Sequence, residues 1–266
     1  MERLPLGITR AEADSHSIEP RVTVLMPVYN AGQYIEEAMN SVLSQTFRDY
    51  EFLIINDGST DNSPDVIRKF SDTRIRFVEN ESNMGVRGTL NKGIPLARGE
   101  YIARMDADDI SFPTRFEKQV GFLDQNPDVA LCGTWYTVFG ATKRTTLRLP
   151  ITQKEIECYL LFNPPFGHPT VMFRKAAFVR RGLWFDVDYT PAEDYNCWVR
   201  FVEHERLSNI PEVLLMYRIH AHQMTQPSSR ESMEKRQKVA DRIYSGQFQK
   251  LGITPTDREL RLHLQV

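Results

Sequence analysis

Residues 22–28 read Val-Thr-Val-Leu-Met-Pro-Val, a β-rich, apolar run with no alternating polar face. A segment this short and this continuous is a strand covered on both sides, because a strand with one wet face alternates apolar and polar residues. The turn Tyr29-Asn30-Ala31-Gly32 follows, and then Ile35, Ala38, Met39, Val42 and Leu43 fall on one helical stripe. Strand, turn and helix then recur. Phe52 to Ile55 is a second buried strand, broken by Asn56-Asp57-Gly58-Ser59 and followed by a helix through Val66, Ile67 and Phe70. Residues 74–78 give a third strand, 86–97 a helix and 100–105 a fourth strand. This alternation predicts an α/β fold with a mainly parallel central sheet flanked by helices. Ligands of such sheets bind beyond the carboxyl ends of the strands. Tyr29-Asn30, Asn56-Asp57 and Asp106-Ala107-Asp108-Asp109 each stand where a predicted strand ends, so they are expected around one mouth.

Beyond Ser111 the pattern changes. A helix is expected from Pro113, a favoured first position, burying Phe116, Val120 and Leu123. Residues 129–132 read as a strand, and 135–139 as another strand or its continuation. Asn163-Pro164-Pro165-Phe166-Gly167-His168-Pro169 is too rich in proline for regular structure and reads as a loop shaping a site. Residues 192–204 suit a helix. Residues 230–250 suit another, with six basic and three acidic side chains. The expected plan is an N-terminal extension over 1–20, a first half over 21–112, a second over 113–226 and a helical tail over 227–266.

The chain has 266 residues, 41% hydrophobic and 26% charged, the composition of a globular protein with a sizeable core. With 33 basic against 35 acidic side chains, nothing points to a nucleic-acid partner, and an anionic ligand must be met by local charge. Cys132, Cys158 and Cys197 form no CxxC pair, which argues against a disulfide framework or a zinc knuckle and for a reducing compartment. Residues 1–20 carry charges throughout, without a signal peptide's apolar run, and no stretch reaches the roughly 18 apolar residues of a membrane span. A cytoplasmic protein, soluble or peripheral at the inner face of the membrane, is expected.

Asp106 and Asp108, two apart on an extended segment, can face one ligand together. Magnesium or manganese, hard ions that favour carboxylate oxygen, fit such a pair. The plainer alternative is a solvated acidic turn capping the helix near Pro113. Glu193 and Asp194 open a predicted helix, where they either favour its dipole or supply a base. Trp135, Trp184 and Trp198 could stack on sugars, although Trp198, four residues after Asp194, suits the core better. His168, in the proline-rich loop, suits a structural role at least as well as a catalytic one. A single glycine in the first turn excludes a dinucleotide fingerprint, and there is no P-loop. An aspartyl-phosphate phosphatase could use Asp106 and Asp108, but by fold analogy it would carry them after the first strand rather than the fourth.

Seven segments then resemble, in order and spacing, the family 2 glycosyltransferases: VTVLMPVYN (22–30), SQTF (44–47), INDGSTD (55–61), GEYIARMDADDIS (99–111), HPTVMFRK (168–175), EDYNCWVR (193–200) and YRIHAHQMT (217–225). The resemblance implies a GT-A, Rossmann-like fold with an acceptor-side subdomain, and transfer of a sugar from a nucleotide-diphosphate donor with inversion at the anomeric carbon. It implies that Pro27 and Tyr29 line the base pocket, that Asp57 hydrogen-bonds the base, and that Asp106 lies near the ribose. Asn91 and Arg104 occupy donor-side positions without a specific contact. Asp108 would bind the divalent metal, with His220 as a further ligand. Asp194 would be the general base, with His168 and Glu193 on the acceptor side. UDP is favoured, although guanine offers similar donors, and the acceptor would be a saccharide or lipid-linked hydroxyl. Where relatives commonly carry Gly-Gly-Tyr-Asp, this chain has Gly182-Leu183-Trp184-Phe185-Asp186, so the acceptor side matches less closely than the donor side. A catalytically silent nucleotide-sugar-binding scaffold is the alternative within the same fold. It would need a base position unable to take a proton, and Asp194 is intact.

Overall fold

Four strands, β1 (Val22–Val28), β2 (Tyr50–Asn56), β3 (Ile75–Glu79) and β4 (Tyr101–Arg104), lie side by side in the order β3-β2-β1-β4, all parallel. The computed structural model describes residues 19–140, 143–221, 223 and 230–263. Most of the expected N-terminal extension, positions 222, 224 and 225 of the 217–225 motif, and the boundary between 226 and 227 lie outside the described residues.

Every residue of β1 and β2 is buried, as their unbroken apolar runs require. Alternate side chains feed two cores. Leu25, Leu53, Ile55 and Ile102 point to one, packed by Leu90 and Ile94 of α3 (Gly85–Leu96). Val24, Met26, Phe52, Ile54 and Ala103 point to the other, packed by Ile35, Met39 and Val42 of α1 (Ile35–Leu43) and by Val66 and Ile67 of α2 (Ser63–Arg68). A proline inside a central strand removes a ladder donor. β4 pairs with β1 only as far as Leu25, so Pro27 lies where that side of β1 has already lost its neighbour.

Past β4 the sheet becomes mixed and curls away. β8 (Met172–Arg174) runs antiparallel on β4, and β6 (Val129–Phe139), β9 (Arg206–Arg218) and β5 (Ile110–Ser111) follow, with β7 (Thr145–Leu147) on β6. The parallel order expected from the sequence therefore holds for the first four strands, and 129–139 is one strand rather than two. The 13-residue β9 escaped sequence reading because Pro211 interrupts it. Thr134 pairs with Ile210 and Trp135 with Val213, so Pro211 and Glu212 sit in the break of register.

The helices α4 (Arg115–Gln125), α5 (Gln153–Tyr159), α6 (Lys175–Arg180) and α7 (Glu193–Val202) cover this half. α8 (Arg230–Lys250) and α9 (Asp257–His263) follow, and α8 docks through buried Val239, Ile243 and Tyr244. The Gln247 amide donates to Leu160 O at 2.6 Å, and the Tyr244 ring stands edge-on to Tyr195 of α7. Among the described residues, no helix is long and apolar enough to cross a membrane.

Candidate active site

β4 ends where the Met105 N–H donates to Leu25 O, and the chain then turns so sharply that ligand atoms of Asp106, Asp108 and Asp109 lie within 4.8 Å of one another. The far end of β9 closes this corner. Arg218 donates its backbone N–H to Asp109 Oδ1 at 2.8 Å and its Nε–H to Asp108 O at 2.7 Å, while its guanidinium lies over Phe139 and Tyr34. Two residues later, His220 places Nε2 2.9 Å from Asp108 Oδ2, its ring tilted against Tyr34. Asp106 is ion-paired with Arg104. Asp109 is buried with Oδ2 unpartnered among the described residues. Burial, reinforced by the charges of Asp106 and Asp108, pushes its carboxyl well above the usual range. Burial also raises Asp106, against the pull of Arg104. Arg218 falls within the 217–225 segment, and the sequence alone gives it no role. Its importance is its position opposite the acidic turn, which only the β5–β9 pairing creates.

Asp57 follows β2, its N–H bonded to Val28 O at 2.7 Å. Its Oδ1 accepts from the Asn80 amide at 2.7 Å and from the Met84 N–H at 2.9 Å, leaving Oδ2 buried and unpartnered among the described residues. Gly58 has a positive φ of 70°, and a Cβ there would lie 3.0 Å from Asn83 N, so the turn requires glycine. Asn30 ties the neighbouring strand end to this loop, its Oδ1 accepting from the Thr60 N–H at 2.8 Å. Tyr29 is 51% exposed beside it, whereas Pro27 is buried within β1. Asn91 looks elsewhere. Its amide donates to Phe185 O at 2.9 Å and accepts from the Phe185 N–H at 3.0 Å, so both of its polar ends anchor the loop ahead of α7.

On the other side, Asp194 stands in the first turn of α7. Its Oδ1 accepts from the Tyr195 N–H at 2.8 Å, and its Oδ2 lies 3.9 Å from His168 Nδ1. His168 opens a single 3-10 turn over His168–Thr170, its ring packed on Phe185 and Trp198. Burial, with the Arg104 charge, holds the His168 imidazole well below its usual range, hence neutral. Burial pushes the Asp194 and Glu193 carboxyls up, and Glu193 Oε2 is buried without a partner among the described residues. Trp198 is fully buried, as its helical position suggested. Trp135 donates its indole N–H to Leu149 O and is covered by Arg148, while Trp184 remains partly exposed.

A buried pair on α4 ties the two sides together. Arg115 donates to Arg104 O at 2.8 Å and to Gln119 Oε1 at 2.9 Å, and Gln119 donates to Thr170 O at 2.9 Å and Cys132 O at 3.2 Å. With no carboxylate bonded to it among the described residues, Arg115 is pulled down to about 9 by burial. The strand end carrying the acidic corner and the turn carrying His168 thus hang on one internal frame.

Parallel strands ending in an acidic corner, continued by a curled mixed half with a buried carboxylate at a helix start, define a GT-A glycosyltransferase architecture. The structure of Staphylococcus aureus TarS 1–349 in complex with UDP-GlcNAc superimposes with a TM-score of 0.72 at 18% identity, covering 92% of this chain and 70% of that one. The mannosyltransferase PcManGT of Pyrobaculum calidifontis, in complex with GDP-Man and Mn2+, superimposes with a TM-score of 0.63 at 19% identity, covering 93% of this chain and 68% of that one. An uncharacterized glycosyltransferase of Haemophilus influenzae is 33% identical over 246 residues, 88% of this chain and 76% of that protein. The family model for glycosyl transferase family 2 matches residues 23–184. The chain belongs to glycosyl transferase family 2.

Proposed function

We propose that this glycosyltransferase moves a sugar from a nucleotide-diphosphate donor, UDP-sugar favoured, to a hydroxyl of a saccharide or lipid-linked acceptor, with inversion at the anomeric carbon. The observation that carries the proposal is the pairing of two carboxylate sites around the buried Arg104, which is ion-paired with Asp106 and whose charge also acts on Asp194, Glu193 and His168. The first site is the Asp106–Asp108–His220 corner, and the second is Asp194 with His168 3.9 Å away. Inverting displacement needs both, a base for the acceptor hydroxyl and charge compensation for the departing diphosphate.

Asp57, whose buried Oδ2 has no partner among the described residues, accepts an N–H of the base, and Tyr29 and Pro27 flank it. Asp106 and Arg104 border the ribose and diphosphate. Asn91 acts at one remove, holding the Phe185 loop. Asp194 takes the acceptor proton, its basicity strengthened because burial raises its pKa. His168 and Glu193 orient the acceptor. The first half of the chain thus supplies the donor side and the second the acceptor side, with His220 reaching back.

The donor set fits a hard divalent ion. Carboxylate oxygens converge within 4.8 Å, an imidazole nitrogen adjoins Asp108, and Asp109 Oδ2 has no partner among the described residues. Asp108 and His220 would hold manganese or magnesium, which when bound neutralises charge on the diphosphate. The GDP-Man and Mn2+ of the PcManGT complex and the UDP-GlcNAc of the TarS complex support this reading.

The test is a screen of UDP-, GDP- and dTDP-sugars with manganese, read by nucleotide release. Release from none of them, with or without saccharide acceptors, overturns the proposal. The net charge of +3 over residues 230–250, six basic against three acidic, supports peripheral contact with an anionic inner leaflet, each basic group near the surface contributing about 1 kcal/mol. Protein that stays at the bottom in flotation with anionic liposomes at low salt refutes that location.

A further inference from the structure

Tyr136, on β6, stands between the two sides of the site and belongs to neither. One edge of its ring meets the proline-rich loop at Gly167, where a Cβ would lie 2.6 Å from Tyr136 Cε1, so the missing side chain makes room for the ring. The next residue is His168, the neighbour of Asp194. The other face meets Tyr217, with ring centroids 5.8 Å apart, and the next residue there is Arg218, which clamps Asp108 and Asp109. Register agrees with this placement. Tyr136 pairs with Leu215 of β9, and Leu215 pairs with Ser111 of β5, two residues beyond Asp109. Trp135, its neighbour in the strand, bonds Leu149 instead, as alternation along a strand requires.

Tyr136 is partly buried, and among the described residues no group hydrogen-bonds its hydroxyl. Burial first, then the charges of Tyr159, Asp109 and Asp194, push the phenol up to about 12, so it stays neutral through the physiological range. A neutral phenol both donates and accepts, as a sugar hydroxyl does.

In an inverting displacement the incoming oxygen, the anomeric carbon and the leaving oxygen are roughly in line. With the leaving side at Asp108 and the incoming side at Asp194, the transferred sugar lies between them. We propose that Tyr136 lines the seat of the transferred sugar and hydrogen-bonds one of its hydroxyls, helping to select the donor sugar; this rests on the donor and base assignments proposed above.

Tyr136→Phe removes only the oxygen and keeps the ring between Gly167 and Tyr217. Calorimetry with manganese compares wild type and variant for UDP and for UDP-glucose, UDP-galactose and UDP-GlcNAc, with GDP and GDP-mannose in parallel. The expected result is unchanged affinity for the bare nucleotide and a loss of about 3- to 10-fold for the sugar nucleotide that wild type binds most tightly. Equal losses for nucleotide and sugar nucleotide make Tyr136 a scaffold residue and overturn the proposal, as does no loss for any ligand. Wild type that binds none of these nucleotides refutes the donor assignment itself, and the seat falls with it.

Discussion

His220 Nε2 lies 2.9 Å from Asp108 Oδ2, although the two residues are 112 positions apart in the chain. The long strand β9 carries the histidine back to the end of β4, and Arg218 locks the return by bonding Asp108 O and the Asp109 carboxylate on the way. Under the proposed function, a nitrogen and an oxygen so placed would hold one divalent ion together.

Metal dependence is the first expectation of the proposed function. Removing divalent ions with EDTA should abolish nucleotide release, and manganese should restore it. Asp108→Ala should abolish manganese binding in the presence of UDP, and His220→Ala should weaken it by at least about tenfold. Calorimetry reads both, and wild-type turnover indifferent to EDTA would sink the assignment.

Asp57→Asn tests the base pocket with little disturbance of the fold. An asparagine Oδ1 can keep the bonds from Asn80 and Met84, while its amide puts a donor where the unpartnered Oδ2 offered an acceptor. UDP affinity should fall by about 1–3 kcal/mol, roughly 5- to 150-fold. Unchanged affinity would place the base elsewhere.

Asp194→Asn keeps the shape and removes the basicity, so turnover should fall by about 10²- to 10⁴-fold while donor affinity stays nearly constant. Burial raises the Asp194 pKa, and the deprotonated form is the active one. The wild-type rate should therefore climb as pH rises through a value above that of an ordinary aspartate and then level off. NMR of the product reads the anomeric configuration, and retention would refute single displacement.

Asp109 carries a cost that substitution should reveal. Its pKa is raised in the folded state, so the folded chain binds that proton more tightly than the unfolded chain. That contribution to stability is fully present below the unfolded value and is lost as pH rises through the folded one. Near neutrality without metal, Asp109→Asn, which retains the acceptor for the Arg218 N–H, should stabilise the protein by about 0.5–2 kcal/mol. Thermal unfolding with and without manganese measures this, and the gain should shrink when the ion is bound. A less stable metal-free variant would contradict it.

Much of the proposed donor side was legible in the sequence because it is local. An apolar run ending in Asn56-Asp57-Gly58 or in Arg104-Met105-Asp106 makes a strand and the polar turn beyond it, and parallel packing brings such ends to one rim. The half around Glu193 and Asp194 was legible only in part. Glu193 and Asp194 open a helix as their pattern suggested, but Asn91 faces Phe185, 94 residues away, and no periodicity carries that information.

By itself the sequence determined the four-strand parallel half, the helices that cover it, the acidic turn and the helix start at Glu193 and Asp194, since strand burial, helical period and turn chemistry act over a few residues. Only the tertiary structure decided that β9 returns past Pro211 to bring Arg218 and His220 to the acidic corner. It also decided that Arg115 and Gln119 join that corner to the His168 turn, and that Tyr136 stands between Gly167 and Tyr217. Those relationships arise from pairing between distant strands and from buried polar groups that must find a partner wherever the fold supplies one.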